Sequence, residues 1–306
     1  MTYTEMLETL KKLTLNERLA LIEAVLHLMR EELQQREQPP AQNTTSMQTV
    51  TSHDGTPIAY DTTGAGPFLI VVNGALSYRK SEGIEELATA LAQNFTVLTF
   101  DRRGRGESGD TKPYTADREI EDIAALIDNA GGSAYLYGSS SGAALALRAA
   151  EKLGPGKVKK LAMYEPPYGA VDEAGFMAER DTISRLVSAG KPGDAVLVFM
   201  QNRGTPPDQL DAMKQSPAWN DFVKMGPTLL YDFDVMQDGQ VPEAIARKIS
   251  IPVMILTGEK SPAFMHTTAT RLAAIIPGST HKTLPGQTHQ ASAEAVVPVL
   301  LEFFRQ

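Results

Sequence analysis

The sequence predicts an α/β fold: a mostly parallel, doubly wound sheet with an inserted helical cap and an N-terminal helical arm. Short, continuous apolar runs, such as FLIVVN at 68–73 and IPVMILTG at 251–258, indicate strands that are buried on both faces. Helical patterns alternate with these runs along most of the chain. This alternation is typical of parallel strands that are joined by crossover helices.

Composition limits the classes of function. The chain has 306 residues, of which 42% are hydrophobic and 22% charged, an ordinary balance for a globular protein. With 29 basic and 37 acidic residues, the net charge is −8, which argues against nucleic acid or an anionic membrane as the main partner. The chain has no cysteine, so disulfides, thiolate metal sites and cysteine nucleophiles are excluded. The sequence contains neither a signal-peptide pattern nor an apolar run of ~20 residues, so we expect a cytoplasmic protein.

Residues 1–37 are predicted to form the helical arm, because leucines and other apolar residues recur there at steps of three and four. Thr14 and Glu17 have the spacing of a capping box. The polar, proline-containing stretch QPPAQNTTS at 38–46 is predicted to be a linker. The arm resembles the short helices of bacterial addiction-module components, and we expect it to pack on its own domain or on a second subunit as a homo-oligomer contact.

Residues 47–306 are predicted to form the main domain. It begins with two β-rich runs on either side of Asp54-Gly55, a dipeptide that favours a hairpin turn. Apolar runs then predict strands at 68–73, 95–100, 134–138, 157–164, 251–258 and 279–284. Amphipathic patterns predict helices at 83–93, 117–130, 141–153, 263–276 and 291–305.

The alternation stops between about residues 170 and 247. Helical patterns continue there without strands, and prolines mark the loops between them. We call this segment the cap. Its aromatic and methionine residues predict an apolar interior that is mostly core and in part pocket lining.

The motif GSSSG at 138–142 follows a predicted strand and precedes an alanine-rich helix. In a sharp strand-to-helix turn of this kind the central residue, Ser140, has its hydroxyl lifted above the sheet. The backbone N–H of Ser141 lies at the helix start, where it is free to stabilise an oxyanion. The side chains of Ser139 and Ser141 are expected to flank the turn and not to be nucleophiles.

A serine hydroxyl needs a general base to act as a nucleophile. Of the five histidines, only His289 lies late in the chain in a loop that follows a predicted strand, and functional sites of α/β proteins gather at such strand ends. The others are placed in the arm, beside the hairpin turn, at a helix start and within the last strand: His27, His53, His266 and His281. His289 is therefore the predicted base.

From about residue 47 onward the chain resembles the α/β-hydrolase family. Four motifs carry the resemblance, and they occur in the family's order: VVNGA at 71–75, FDRRGRGESG at 100–109, GSSSG, and PGQTH at 285–289. Asn73 stands where the family usually has histidine. The resemblance implies that the N–H groups of Ala75 and Ser141 form an oxyanion hole and that no metal or organic cofactor is needed.

The acid that would orient His289 is left open by the sequence. The family commonly carries it as aspartate in the loop after the strand at 251–258, where this chain has Ser261. Glu165 ends the preceding strand, a position that some members of the fold use, and Pro166 after it would restrict the turn. We favour Glu165 and keep Glu259 as the alternative acid.

The predicted function is that of a serine hydrolase, which cleaves a small, apolar carboxylic ester through an acyl-enzyme. The same site would serve a cofactor-free haloperoxidase or perhydrolase, a carbon–carbon bond hydrolase or a hydroxynitrile lyase. A non-catalytic ligand-binding protein is a further alternative. We call the strand-to-helix turn at GSSSG the elbow. Because its central residue is serine and not a carboxylate, haloalkane dehalogenase and epoxide hydrolase chemistry is not expected.

Overall fold

The computed structural model of this chain describes Thr14 and residues 47–305. Apart from Thr14, the predicted arm at 1–37 and the linker at 38–46, including Glu17 and His27, lie outside the described residues. No helix in the described part of the chain is both long enough and apolar enough to cross a bilayer.

Eight strands form one sheet in the order β1-β2-β4-β3-β5-β6-β7-β8. They are β1 (Gln48–Thr51), β2 (Pro57–Thr63), β3 (Phe68–Val72), β4 (Thr96–Phe100), β5 (Ala134–Ser139), β6 (Val158–Tyr164), β7 (Val253–Gly258) and β8 (Thr280–Leu284). The hairpin strands β1 and β2 are antiparallel, and the neighbouring pairs from β4 to β8 are parallel. The mostly parallel sheet that the sequence predicts is thereby confirmed.

Helices cover both faces of the sheet. They are α1 (Glu82–Leu91), α2 (Ala116–Asn129), α3 (Ser141–Lys157), α10 (Ala263–Ile275) and α11 (Ala293–Arg305). Leu69 and Val71 of β3 pack in one apolar cluster with α1 and α11, whereas Ile70 and Val72 pack in a second cluster with α2 and α3. Successive residues of a strand point to opposite faces, so an unbroken apolar run is what a strand covered on both sides requires.

The helix bounds differ slightly from the predicted ones. The largest difference is in α3, which is predicted to end at residue 153 and extends to Lys157 across a break at Gly154, where φ is 69°. The dipeptide Gly154-Pro155 explains this break, because glycine adopts positive φ easily and proline does not continue a helix.

Between β6 and β7 the cap contains six helices and a 3₁₀ turn, all within the described residues. They are α4 (Glu173–Ser188), α5 (Pro192–Asn202), α6 (Pro207–Gln215), α7 (Trp219–Met225), the 3₁₀ turn (Gly226–Thr228), α8 (Leu229–Met236) and α9 (Glu243–Ala246). Buried Phe176 and Phe233 meet with ring centroids 4.9 Å apart, which joins α4 to α8.

Candidate active site

Ser140 lies at the apex of the turn between β5 and α3. Its φ of 54° and ψ of −129° place a non-glycine residue in a rarely populated region, a strain that folded proteins accept mainly at functional positions. The turn is held in part by the Ser140 N–H, which donates to the Tyr164 carbonyl at 2.9 Å.

The two glycines of the motif allow the turn to be this tight. A Cβ at Gly138 would lie 2.6 Å from the Gly142 carbonyl oxygen, and one at Gly142 would lie 2.2 Å from the Val72 carbonyl oxygen. Both distances are too short for real atoms. A side chain at Gly138 would push the start of α3 away from the end of β5, and one at Gly142 would push the elbow away from β3.

His289 lies in the loop between β8 and α11, and its side chain is 38% exposed. Its Nε2 atom is 3.1 Å from the Ser140 hydroxyl, and its Nδ1 atom is 2.7 Å from Glu165 Oε2. Tyr164 supports this loop by donating its hydroxyl to the Thr288 carbonyl. The three side chains therefore form one continuous hydrogen-bonded chain.

Glu165 directly follows β6 and is 1% exposed. Its φ of 48° turns the backbone out of the strand, and Gly258 N–H donates to its Oε1 atom at 2.7 Å. Burial by itself raises the pKa of Glu165, but the contacts with His289, Ser261 and the Gly258 N–H outweigh it and hold the pKa below its usual range. The carboxylate is therefore ionised at neutral pH, beside the imidazole.

Glu259 lies elsewhere. It is exposed, and its Oε2 atom accepts a hydrogen bond from Gly286 N–H at 2.7 Å, so it stabilises the turn that precedes the histidine loop. Ser261, at the family's usual acid position, is buried close to Glu165, although its hydroxyl makes no hydrogen bond of ordinary geometry.

The loop after β3 runs beside the nucleophile, since a Cβ at Gly74 would lie 3.0 Å from the Ser140 Cβ. Within residues 47–305, neither the Ala75 N–H nor the Ser141 N–H donates to another protein group. Both donors are thus without a protein partner in the described residues. Leu76, the next residue, has a φ of 53°, so this loop also contains a strained non-glycine position.

The other described histidines lie away from this chain of contacts. His53 is paired at 3.9 Å with Glu121, His266 lies in α10, and His281 on β8 is 3.0 Å from the Thr257 hydroxyl. In the part of the chain that the structure describes, no group of three or more histidine, aspartate or glutamate side chains is arranged to hold a metal ion.

A buried ionic network adjoins the elbow, and its two arginines lie in the FDRRGRGESG motif. Arg102 and Arg105, in the loop after β4, are each 1% exposed and bind the two oxygens of Asp232, which lies on α8 of the cap. The motif does not indicate Asp232 as the partner, and a run of charged residues ordinarily indicates an exposed surface.

Residues 69–299 match the model of the alpha/beta hydrolase family. Because this match covers most of the chain, the protein belongs to that family.

Two curated proteins and one solved structure show the range of similarity. The structure, an alpha/beta hydrolase from Sphaerobacter thermophilus DSM 20745, is 45% identical with a TM-score of 0.76, over 84% of this chain and all of that one. The uncharacterized hydrolase YraK of Bacillus subtilis (strain 168) is 32% identical over 97 residues, which are 30% of this chain and 35% of YraK. N-formylmaleamate deformylase of Pseudomonas putida is 32% identical over 143 residues, 44% of this chain and 52% of the deformylase. The chain thus spans about a third to a half of the length of these two curated relatives.

Proposed function

We propose that this protein is a serine hydrolase that cleaves a carboxylic ester through an acyl-enzyme. The observation that carries the proposal is the hydrogen-bonded chain from Ser140 through His289 to Glu165. A nucleophile, a base in contact with it and a carboxylate in contact with the base are the parts that acyl transfer by serine needs.

In the proposed reaction, Ser140 Oγ attacks the ester carbonyl carbon while His289 Nε2 takes the hydroxyl proton. The carbonyl oxygen becomes an oxyanion that the N–H groups of Ala75 and Ser141 bind. When the carbon–oxygen bond to the alcohol breaks, His289 returns the proton to the leaving alcohol.

Deacylation repeats these steps with water. His289 removes a proton from the attacking water, the acyl–Ser140 bond breaks, and the acid product leaves as Ser140 regains its proton. Glu165 holds the imidazole in one tautomer and stabilises its charged form without taking the proton. Each step is balanced without a metal or organic cofactor.

A second candidate is hydrolysis of an N-formyl amide. It is favoured by the similarity to N-formylmaleamate deformylase and would use the same acyl-transfer steps with a carboxamide as the leaving group. Perhydrolysis differs only in that hydrogen peroxide takes the place of water.

One experiment separates these possibilities. The purified full chain is incubated with p-nitrophenyl esters of increasing acyl length and with N-formyl amides, each with and without hydrogen peroxide, and Ser140 labelling by a fluorophosphonate is mapped by mass spectrometry. We expect ester turnover, free carboxylic acid as the product, and label on Ser140. Peracid formation would favour perhydrolysis, and turnover of formyl amides alone would favour deformylation. A folded protein that neither hydrolyses these substrates nor takes the label would favour the ligand-binding alternative.

A further inference from the structure

The guanidinium of Arg105 joins the cap to the loop beside the nucleophile. Its Nη1 atom donates to the Gly74 carbonyl at 2.6 Å, and its Nη2 atom donates to Asp232 Oδ2 at 2.8 Å. Its Nε atom donates to the Thr228 hydroxyl at 3.2 Å. One buried side chain therefore holds the loop after β3 on one side and two positions of the cap on the other.

The bond to the Gly74 carbonyl has a consequence for Ala75. The Gly74 carbonyl and the Ala75 N–H belong to one trans peptide, so they point in opposite directions within a single plane. Any rotation of this peptide that redirects the Ala75 N–H would also turn the carbonyl out of its charge-assisted bond with Arg105. Arg105 thus determines the direction of this N–H.

Asp232 makes a second connection, to the residue that follows the nucleophile. Its Oδ1 atom accepts from the Ser141 hydroxyl at 2.8 Å and from Arg102 Nη1 at 2.7 Å, and Arg102 Nη1 also lies 3.2 Å from the Asn73 carbonyl. Burial raises the pKa of Asp232, but the charges of Arg105 and Arg102 outweigh it and lower the pKa, so the carboxylate is ionised at neutral pH.

We propose that Arg105 and Asp232 are positioning residues, which hold the N–H groups of Ala75 and Ser141 in the geometry that binds the oxyanion. The site is then complete only when α8 of the cap is packed against the loop after β4 and the start of α3, so that Asp232 binds Arg105 and Ser141. This inference rests on the proposed function, since it takes those two N–H groups to bind a negatively charged oxygen.

Arg103 provides a matched control within the same loop. It is as deeply buried as Arg105 and as fully bonded, but it binds Asp122 and Asp54, on α2 and in the hairpin turn. None of its hydrogen bonds or ion pairs joins it to the loop after β3 or to the cap. Replacing Arg103 therefore measures how much stability and activity are lost when a buried, paired arginine is removed from a position that is not bonded to the loop of the oxyanion donors.

The experiment compares Arg105→Gln with Arg103→Gln in the full chain, on one ester. Removal of an oxyanion donor costs about 10²–10³ in kcat, which is the upper limit expected for Arg105→Gln. KM should stay near the wild-type value, because the donors act on the transition state more than on the bound ester. A boronic acid that forms a tetrahedral adduct with Ser140 should lose affinity in proportion to kcat. Arg103→Gln should lower the melting temperature but leave kcat and boronate affinity near wild type.

Two conservative variants keep the test open if Arg105→Gln fails to fold. Arg105→Lys retains the charge but cannot reach all three partners, and Asp232→Asn retains the shape but not the charge. Both should lie between wild type and Arg105→Gln in kcat and in boronate affinity.

The possible outcomes separate this inference from the proposed function. If the wild type hydrolyses the ester while the variants at Arg105 and Asp232 keep wild-type kcat and boronate affinity, the positioning role is wrong and the serine hydrolase stands. If the wild type shows neither hydrolysis nor labelling of Ser140, both are wrong.

Discussion

The imidazole of His289 lies 2.7 Å from a carboxylate oxygen of Glu165, although 124 residues separate them in the chain. Glu165 ends β6, whereas His289 follows β8, with β7 between these two strands. Parallel strands end at the same edge of a sheet, so loops from different strands meet there. This contact is the basis of the first predictions.

Replacing Ser140 with alanine should abolish turnover while leaving the fold intact. Loss of the nucleophile in serine hydrolases costs on the order of 10⁴–10⁶ in rate, since binding and oxyanion contacts alone remain. Turnover of one ester and the circular dichroism spectrum check both parts. Ser139→Ala, one residue away at the end of β5, is the control and should keep its activity. An active Ser140→Ala enzyme would contradict the assignment.

Glu165→Gln should lower kcat far more than Glu259→Gln does. The glutamine keeps the volume of the side chain but removes the charge that favours protonated His289. In a serine protease the corresponding change costs roughly 10⁴ in kcat, which is the upper limit here. Glu259→Gln removes an exposed carboxylate whose side chain accepts a hydrogen bond from the Gly286 N–H. Both variants are compared with wild type at one fixed pH, and a larger loss at Glu259 would reverse the assignment of the acid.

The ionised Glu165 should also make stability depend on pH. Its folded-state pKa is below the ordinary value of 4.5, so the unfolded chain binds more protons in that range and stability rises with pH. The stabilisation is complete above the unfolded pKa and is lost as pH falls through the folded one. Chemical denaturation from pH 7 to pH 3 should therefore show the stability of wild type falling toward that of Glu165→Gln below about pH 4.5. A constant difference across this range would contradict the lowered pKa.

Replacing two glycines near helix starts with alanine should change stability in opposite directions. A Cβ at Gly142 would lie 2.2 Å from the Val72 carbonyl oxygen, whereas one at Gly83 would meet nothing within 4 Å. Overpacking of this kind costs about 1–3 kcal/mol, so Gly142→Ala should be destabilised by at least that amount and should lose activity as the elbow shifts. Gly83→Ala should gain about 0.4–1 kcal/mol, because alanine restricts the unfolded chain. Urea denaturation of both variants measures the sign.

Deletion of residues 1–40 should leave a folded, active enzyme. Ser140, Glu165 and His289 all lie within residues 47–305, together with the sheet that positions them. The apolar stripe of the predicted arm needs a covering surface, so we expect the deletion either to change the oligomeric state or to lower stability. Size-exclusion chromatography with light scattering and thermal denaturation measure the two effects. A well-folded truncation without activity would show that the arm contributes to the site.

Local sequence patterns predict much of this protein. The strands follow from apolar runs, since a strand covered on both faces has no exposed side to mark with polar residues. Ser140 is predicted because the elbow is a local turn, whose glycines and central serine are adjacent in the chain. His289 is singled out by its loop after the last strand and by the PGQTH motif.

Two features depend on the tertiary structure. Glu165 lies beside His289, whereas Glu259 binds Gly286, because the two side chains leave their strand ends in different directions. The φ of 48° that directs Glu165 has no signature in composition. Likewise, Arg105 meets Asp232 across 127 residues. Sequence patterns predict that charged residues are exposed, because burial of a single charge is costly. These charges are buried because the fold brings the partner that neutralises each of them, and only the folded chain determines which residues become partners.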